Sequence, residues 1–282
     1  MTTVILAYLF YFVASSASPL QLRWLKTKYA EGGEIALAFW VMLMLGILGF
    51  SLVLVSPLTL AGNPLVLTAL TIACGIFGAA YFIGSYVAQK YVEAGVSTIA
   101  LNIYTPMTIV LSTLFLDESL KPIQILGTIL LLVALFLISK KHRIGRFKFD
   151  KYFVMMLASG IAMGLLLVAE RALQKTTGFS GGTLLSWWAQ CITLGIAMLI
   201  FRSKNTYGIK DTFVTGIVRF LGAFSWVFLV YIVGNLSVVS SITTFKVVII
   251  FIAAALFLKE REDLPRKIIG SLIAVAGLLL MR

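Results

Sequence analysis

Three ionisable side chains lie inside long apolar stretches of this 282-residue chain: Glu170, Arg219 and Lys246. Lys246 is near the middle of its stretch. A cation at the centre of an apolar helix in a bilayer costs about 2.5–3.5 kcal/mol, so each cation needs a water-filled cavity, a partner or a ligand. We expect Lys246 and Arg219 to face a cavity and to bind a carboxylate or phosphate group of a small molecule.

Other arrangements of these side chains are open. In one, Glu170 pairs with Lys246 as a structural ion pair, while Arg219 extends its long side chain toward a nearby basic loop. In another, Glu170 lines the same cavity, where it contacts the substrate or carries a proton for antiport. We therefore include Glu170 in the predicted substrate site.

Four uncharged residues complete the predicted substrate site. Asn102 and Tyr104 lie beside Pro106, whose ring removes a backbone donor and exposes a carbonyl group. Tyr81 and Trp187 lie in two further apolar stretches. Trp187 is near the start of its stretch, where a tryptophan is alternatively an anchor at the membrane–water interface.

The residues needed for metal or covalent catalysis do not form a pattern in this sequence. His142 is the only histidine and lies in a basic loop, and both cysteines, Cys74 and Cys191, lie in apolar stretches. Neither a metal cluster nor a disulfide framework is predicted. No carboxylate pair lies within the apolar stretches, so we expect no enzyme and no cofactor.

The composition predicts an all-α membrane protein. The mean hydropathy is +1.03, 60% of the residues are hydrophobic and 12% are charged. The net charge of +12 is spread between apolar stretches and not along one face, so we expect no nucleic acid as a partner. Stretches of about 20 apolar residues span a bilayer as helices. Ten such spans are predicted, at residues 3–22, 35–56, 65–88, 96–116, 123–139, 153–173, 184–201, 212–233, 237–258 and 268–281.

One pattern occurs twice in the chain. Residues 96–140 and 238–282 each contain an apolar span, a short charged turn with a proline, and a second apolar span that opens near a glycine. Glu118 corresponds to Glu260 at an offset of 142 residues, and Tyr104 corresponds to Lys246 at the same offset. We therefore expect Tyr104 and Lys246 to meet if both face the interior.

The repeat divides the ten spans into two units of five. Residues 1–140 form the first unit, 141–152 a basic linker, and 153–282 the second unit. A unit that crosses the membrane an odd number of times is followed by a copy inserted the other way up. Two such inverted repeats enclose a site near the membrane midplane and can open to either side in turn.

The repeated motif resembles that of the EamA-type family in the drug/metabolite transporter superfamily. In the first unit the resemblance is carried by Pro106, the segment 116–120 (LDESL) and Gly127, and in the second by the segment 258–261 (LKER) and Gly270. The family pattern usually has glycine before the glutamate, where this chain has Asp117 and Lys259. The resemblance implies a helical carrier whose cavity is lined by spans one to four and six to nine.

The predicted function is that of a secondary transporter in the cell (plasma) membrane. We expect it to move a small polar metabolite with an anionic group, such as an amino acid, an organic acid or a derivative, by alternating access. The alternatives are a translocator of lipid-linked sugars, nucleotide sugars or sugar phosphates, or a channel-like membrane subunit. The expected partners are the small-molecule substrate, the lipid bilayer and a coupled proton or counter-substrate, and the chain is a monomer or a homodimer.

The distribution of basic residues predicts the orientation in the membrane. Of the 23 Lys and Arg residues, 17 fall on odd-numbered connections and 4 on even-numbered connections and termini. The positive-inside rule then places both termini outside the cytoplasm, whereas the family resemblance implies cytoplasmic termini. We expect alkaline phosphatase fused after Arg282 to be active, because it requires a non-cytoplasmic location. Activity only of a reporter that works in the cytoplasm would overturn this orientation.

Overall fold

The computed structural model describes residues 2–29, 33–89, 91, 100–139, 151–246, 248–250 and 264–280. Within these ranges the regular structure is helical, with no β-strand. The predicted charged turn with Lys259 and Glu260 lies outside the described residues, as do positions 141–150 of the predicted linker.

Ten α-helices and one short 3-10 helix are present in the described part of the chain. Within the described ranges, six segments are long and apolar enough to cross a membrane: Thr3–Leu22, Glu34–Leu54, Pro64–Ala88, Lys151–Thr177, Phe179–Ile200 and Ile209–Val233. The helices are α1 (Thr2–Lys28), α2 (Glu34–Gly49, continued by the 3-10 helix Phe50–Leu54), α3 (Pro64–Ala88), α4 (Tyr104–Leu116), α5 (Pro122–Ser139), α6 (Lys151–Thr177), α7 (Phe179–Ile200), α8 (Ile209–Val233), α9 (Leu236–Thr243) and α10 (Leu264–Leu280).

The seventh helix begins earlier than predicted, at Phe179 instead of residue 184. Only Gly178 separates it from α6, and the positive φ of this glycine, +88°, allows the sharp reversal. The small polar residues that follow resemble a loop in the sequence. In the structure Ser180 donates to the carbonyl groups of Leu52 and Ser56, and Thr183 donates to that of Phe179. Because these hydroxyls are satisfied, the segment is helical and buried.

Two helices are interrupted at corresponding positions. A turn at residues 102–103 precedes α4, and a turn at residues 244–245 follows α9, with helical backbone again at 246 and 248–250. Pro106 has no N–H to donate to the Asn102 carbonyl, which instead accepts from the Thr105 N–H at 3.0 Å. The hydroxyls of Thr105 and Thr244 are 3.0 Å apart, so the two interruptions contact each other.

The contacts at the ends of α8 fix the directions of α1 and α6. Lys28, the last residue of α1, forms an ion pair with Asp211 in the first turn of α8, with Nζ and Oδ2 2.7 Å apart. Arg171, near the end of α6, donates from Nη2 to the carbonyl of Gly234, just beyond the end of α8. The chain therefore runs in opposite directions through α1 and α6.

Glu118 connects three helices. Its carboxylate accepts from Arg171 Nε at 2.9 Å and from the backbone N–H of Leu236, and it lies 2.8 Å from Lys175 Nζ. It thus joins the end of α4 to the end of α6 and caps the start of α9. The preceding Asp117 has φ +56°, in the left-handed region that glycine adopts most easily, which accounts for glycine as the usual residue before this glutamate.

Gly160 of α6 allows close packing against the segment that leads into α4. A Cβ atom at Gly160 would lie 2.6 Å from Ile103 Cγ2 and 2.7 Å from the Leu101 carbonyl oxygen. Gly160→Ala is therefore expected to lower the free energy of unfolding by about 1–3 kcal/mol through overpacking. The measurement is the unfolding transition of the purified protein in detergent.

Gly222→Ala is the matched control, because a Cβ atom at Gly222 of α8 meets its nearest neighbour, Ser15 Cα, at an ordinary 3.5 Å. Without a steric conflict, an alanine in a helix is neutral or stabilising. Equal destabilisation by the two substitutions would contradict the packing role of Gly160.

Candidate functional site

All seven residues of the predicted substrate site line one cavity. The cavity has a volume of about 160 Å³ and is enclosed by helices from both halves of the chain. A volume of this size holds several water molecules or a small ligand. The predicted residues that line it are Tyr81, Asn102, Tyr104, Glu170, Trp187, Arg219 and Lys246. Their roles in binding remain predictions.

Lys246 is held by two tyrosine hydroxyls from the first half of the chain. Its Nζ lies 3.2 Å from Tyr11 Oη and 3.4 Å from Tyr104 Oη. The ammonium group also lies 5.8 Å and 5.4 Å from the centroids of these two rings, within the range of a cation–π interaction. The lysine reaches this position because it follows directly after the turn at residues 244–245.

Arg219 contacts aromatic side chains of α3. Its Nη2 donates to Tyr81 Oη at 3.3 Å, and its guanidinium carbon lies 4.9 Å from the centroid of the Phe82 ring. The buried Nε–H has no acceptor among the described residues. Arg219 therefore lines the cavity and does not extend toward the basic loop, which was the alternative arrangement.

Glu170 accepts a hydrogen bond from one hydroxyl, that of Ser186 in the second half of the chain. Ser186 Oγ of α7 donates to Glu170 Oε2 at 2.5 Å and accepts from Gln190 Nε2 at 2.9 Å. Within the described residues Glu170 forms no ion pair with Lys246, so the alternative of a structural bridge between them is wrong.

Trp187 and Asn102 lie at two other walls of the cavity. Trp187 is only 3% exposed, and its ring contacts Phe220 edge-on. A water-exposed anchor at the membrane surface is therefore not its role here. Asn102 is 2% exposed and lies in the turn before α4, so the interruption of that helix places it against the cavity.

Tyr11 is a cavity residue that the sequence did not reveal. It lies in α1 among apolar residues, 2% exposed, and its ring also contacts Trp226 of α8. The sequence gives no signal that separates Tyr11 from Tyr8, one turn earlier. The repeat predicts one tyrosine partner for Lys246, which is Tyr104, and it gives no indication of Tyr11.

The cavity therefore contains two chemically different regions. One holds Lys246 and Arg219 with tyrosine hydroxyls, and the other holds Glu170 with Ser186 and Gln190. Among the described residues no group of His, Cys, Asp and Glu is arranged to hold a metal ion. The geometry supports binding of a polar solute by hydrogen bonds and charge.

Comparison with known families indicates which class of membrane protein this chain resembles. Residues 1–140 match the model of the EamA-like transporter family. The match covers 140 of the 282 residues and is consistent with an EamA-type transporter. Members of this family are transporters and not enzymes, and the apolar helices agree with a multi-pass EamA-type membrane protein.

The fold is also found among solved structures. A crystal structure of another protein superimposes on this chain with a TM-score of 0.71 at 14% sequence identity. The match covers 99% of this chain and 96% of the other, so the fold is shared along nearly the whole chain. No curated protein matches the sequence.

The tyrosine contacts of Lys246 can be tested by removing single hydroxyls. Tyr11→Phe and Tyr104→Phe are each expected to lower the free energy of unfolding by about 0.5–1.5 kcal/mol, because the distances of 3.2 and 3.4 Å are long for a charged hydrogen bond. The double variant is expected to cost more than the sum, since the ammonium group then loses both acceptors.

Tyr8→Phe is the control, because the buried Tyr8 hydroxyl has no hydrogen-bond partner within the described part of the chain. Its removal is expected to be neutral or stabilising. All variants are compared by thermal unfolding in detergent. A Tyr8 variant as unstable as the other two would show that the hydroxyl contacts of Lys246 do not matter.

Proposed function

We propose that this chain is a secondary transporter that moves a small polar metabolite with an anionic group across the cell membrane by alternating access. The observation that carries the proposal is the pair of cations on the cavity wall. Among the described residues neither Lys246 nor Arg219 has a carboxylate partner. Two such charges in the interior of a membrane protein favour the binding of an anion.

The proposal includes ten transmembrane helices in two inverted repeats, residues 1–140 and 153–282. Four observations support it. The helices α1 and α6 run in opposite directions, and the interruptions at 102–103 and 244–245 are 142 residues apart. Tyr104 and Lys246, which correspond in the repeat, are in contact. The helices α5 and α10, each the last of its unit, pack on each other, where Gly277 approaches the Gly127 carbonyl.

The chemistry of the cationic region supports an anionic substrate. Tyrosine hydroxyls solvate Lys246 and Arg219 but do not neutralise their charge. The Nε–H of Arg219 remains without an acceptor among the described residues, and a guanidinium group binds carboxylate or phosphate through two parallel hydrogen bonds. A substrate anion would provide both the missing charge and the missing acceptor.

The asymmetry of the cavity supports the proposed alternating access. The cavity extends to Pro19 in the second half of α1 and to Gln89 just after α3. At the opposite ends of the helices, Glu118 holds α4, α6 and α9 together. Opening to that opposite side would require Glu118 to separate from Arg171 and Lys175.

The proposal is tested by ligand-induced stabilisation of the detergent-solubilised protein against amino acids, organic acids, sugar phosphates and nucleotide sugars. A ligand at 100 times its Kd stabilises the folded protein by about 2.7 kcal/mol. We expect anionic compounds to raise the unfolding temperature of the wild type. Lys246→Met should weaken their binding roughly 10- to 100-fold, since a hydrogen bond to a charged group contributes about 1.5–3 kcal/mol.

Lys28→Met is the matched control, because Lys28 lies at the end of α1, is partly exposed and does not line the cavity. It should bind like the wild type. The same compounds are then followed as uptake into proteoliposomes, where saturation and exchange separate a carrier from a channel. Normal uptake of an anion by Lys246→Met would overturn the anion site.

A further inference from the structure

Glu170 is a buried carboxyl group that the anion site does not use. It is 6% exposed, lines the cavity and has no cationic partner among the described residues. The nearest cation in sequence, Arg171, is bound to Glu118 on another side of α6. An ionised carboxylate without a cationic partner would destabilise the folded protein in this position, because a single hydroxyl does not replace the hydration that the carboxylate loses.

The groups around Glu170 are mostly neutral. From α7, Ser186 and Gln190 face it, and from α3 the thiol of Cys74 lies near it. On its own helix, Leu166, Ala169 and Leu173 belong to an apolar cluster. The charged groups elsewhere on the cavity wall are Arg219 on α8 and Lys246 after α9, and both contact tyrosines of the first half.

The hydrogen-bond directions identify the oxygen that can hold a proton. The Gln190 amide donates to Ser186 Oγ, so the Ser186 hydroxyl hydrogen is directed at Glu170 Oε2. Oε2 is therefore already an acceptor of a hydrogen bond in this arrangement. The other oxygen, Oε1, makes no hydrogen bond within the described part of the chain, and the residue lies on the cavity wall.

We propose that Glu170 is a proton-binding site of the cavity, with the proton carried on Oε1 and exchanged with water in the cavity. Ser186 positions the carboxyl group by its hydrogen bond to Oε2. Glu170 is the one acidic residue among the described residues that line the cavity, so protonation removes its negative charge and deprotonation restores it.

The sign of coupling to the substrate follows from charge, and this step rests on the proposed function. When Glu170 is protonated, the cavity gains one positive charge relative to the ionised form, which strengthens the binding of an anion at Lys246 and Arg219. By linkage, a bound anion strengthens the binding of the proton to the same extent. A proton and an anionic substrate therefore favour each other, which is the condition for symport and the opposite of the antiport considered from the sequence.

The test uses the proton itself as the probe. Infrared difference spectra of the reconstituted protein are recorded between acidic and alkaline buffer, over the range in which it stays folded. We expect a carbonyl band of a protonated carboxyl group that appears on acidification and shifts in D₂O. Glu170→Gln should lose this band, and Ser186→Ala should shift its frequency.

Two further variants make the assignment decisive. Glu170→Asp keeps a carboxyl group and should show a displaced band, so it reports even if Glu170→Gln folds poorly. Glu118→Gln removes a buried carboxylate that pairs with Arg171 and Lys175 outside the cavity lining, and it should leave the band in place because Glu118 does not contribute to the cavity.

A band that survives in Glu170→Gln, or a wild type without a titrating band, would overturn the proton site. This outcome is separate from failure of the proposed function. Loss of the anion site would appear as unchanged ligand stabilisation in Lys246→Met, whatever the infrared spectra of Glu170 show.

Discussion

The structure depends on the cost of placing a charged side chain in an apolar helix bundle. Lys246 and Arg219 are accommodated because aromatic residues with hydroxyl groups surround them, and those residues come from helices on the opposite half of the chain. The two halves must therefore pack face to face for either cation to be solvated. Burial of these two charges therefore requires assembly of the two halves, and this assembly forms the cavity.

Backbone interruptions supply the positions from which these side chains reach the cavity. Regular helices would leave Asn102 and Lys246 on surfaces determined by the 3.6-residue period. The turns at 102–103 and 244–245 break that period, and the hydroxyls of Thr105 and Thr244 satisfy each other where the interruptions meet. Irregular backbone at membrane depth is tolerated where it lines a cavity, as it does here.

Hydropathy and the repeated motif predicted the helical class and a central contact of the cavity. The features that they did not predict were missed for physical reasons. The match of Tyr104 to Lys246 predicted a contact that the structure places at 3.4 Å. Tyr11 was not predicted, because the apolar residues around it in α1 give no indication of which face is buried. The start of α7 was predicted too late in the sequence. Ser180 donates to a carbonyl group that is distant in sequence, and Thr183 donates to one that lies a turn earlier. The sequence alone does not show these hydrogen bonds. Glu118 was identified by the motif, but its partners Arg171 and Lys175 come from another helix.

The single residue Gly178 between α6 and α7 has a mechanical consequence. Two long helices joined by one residue tilt together as a hairpin, so Glu170 keeps Ser186 and Gln190 beside it in any motion of that hairpin. The hydroxyls that contact Lys246 are instead those of Tyr11 and Tyr104, which belong to the opposing half of the chain. In the proposed alternating access, Glu170 and Ser186 would move together with this hairpin, while Lys246 would exchange its contacts with the two tyrosines for contacts with water or substrate.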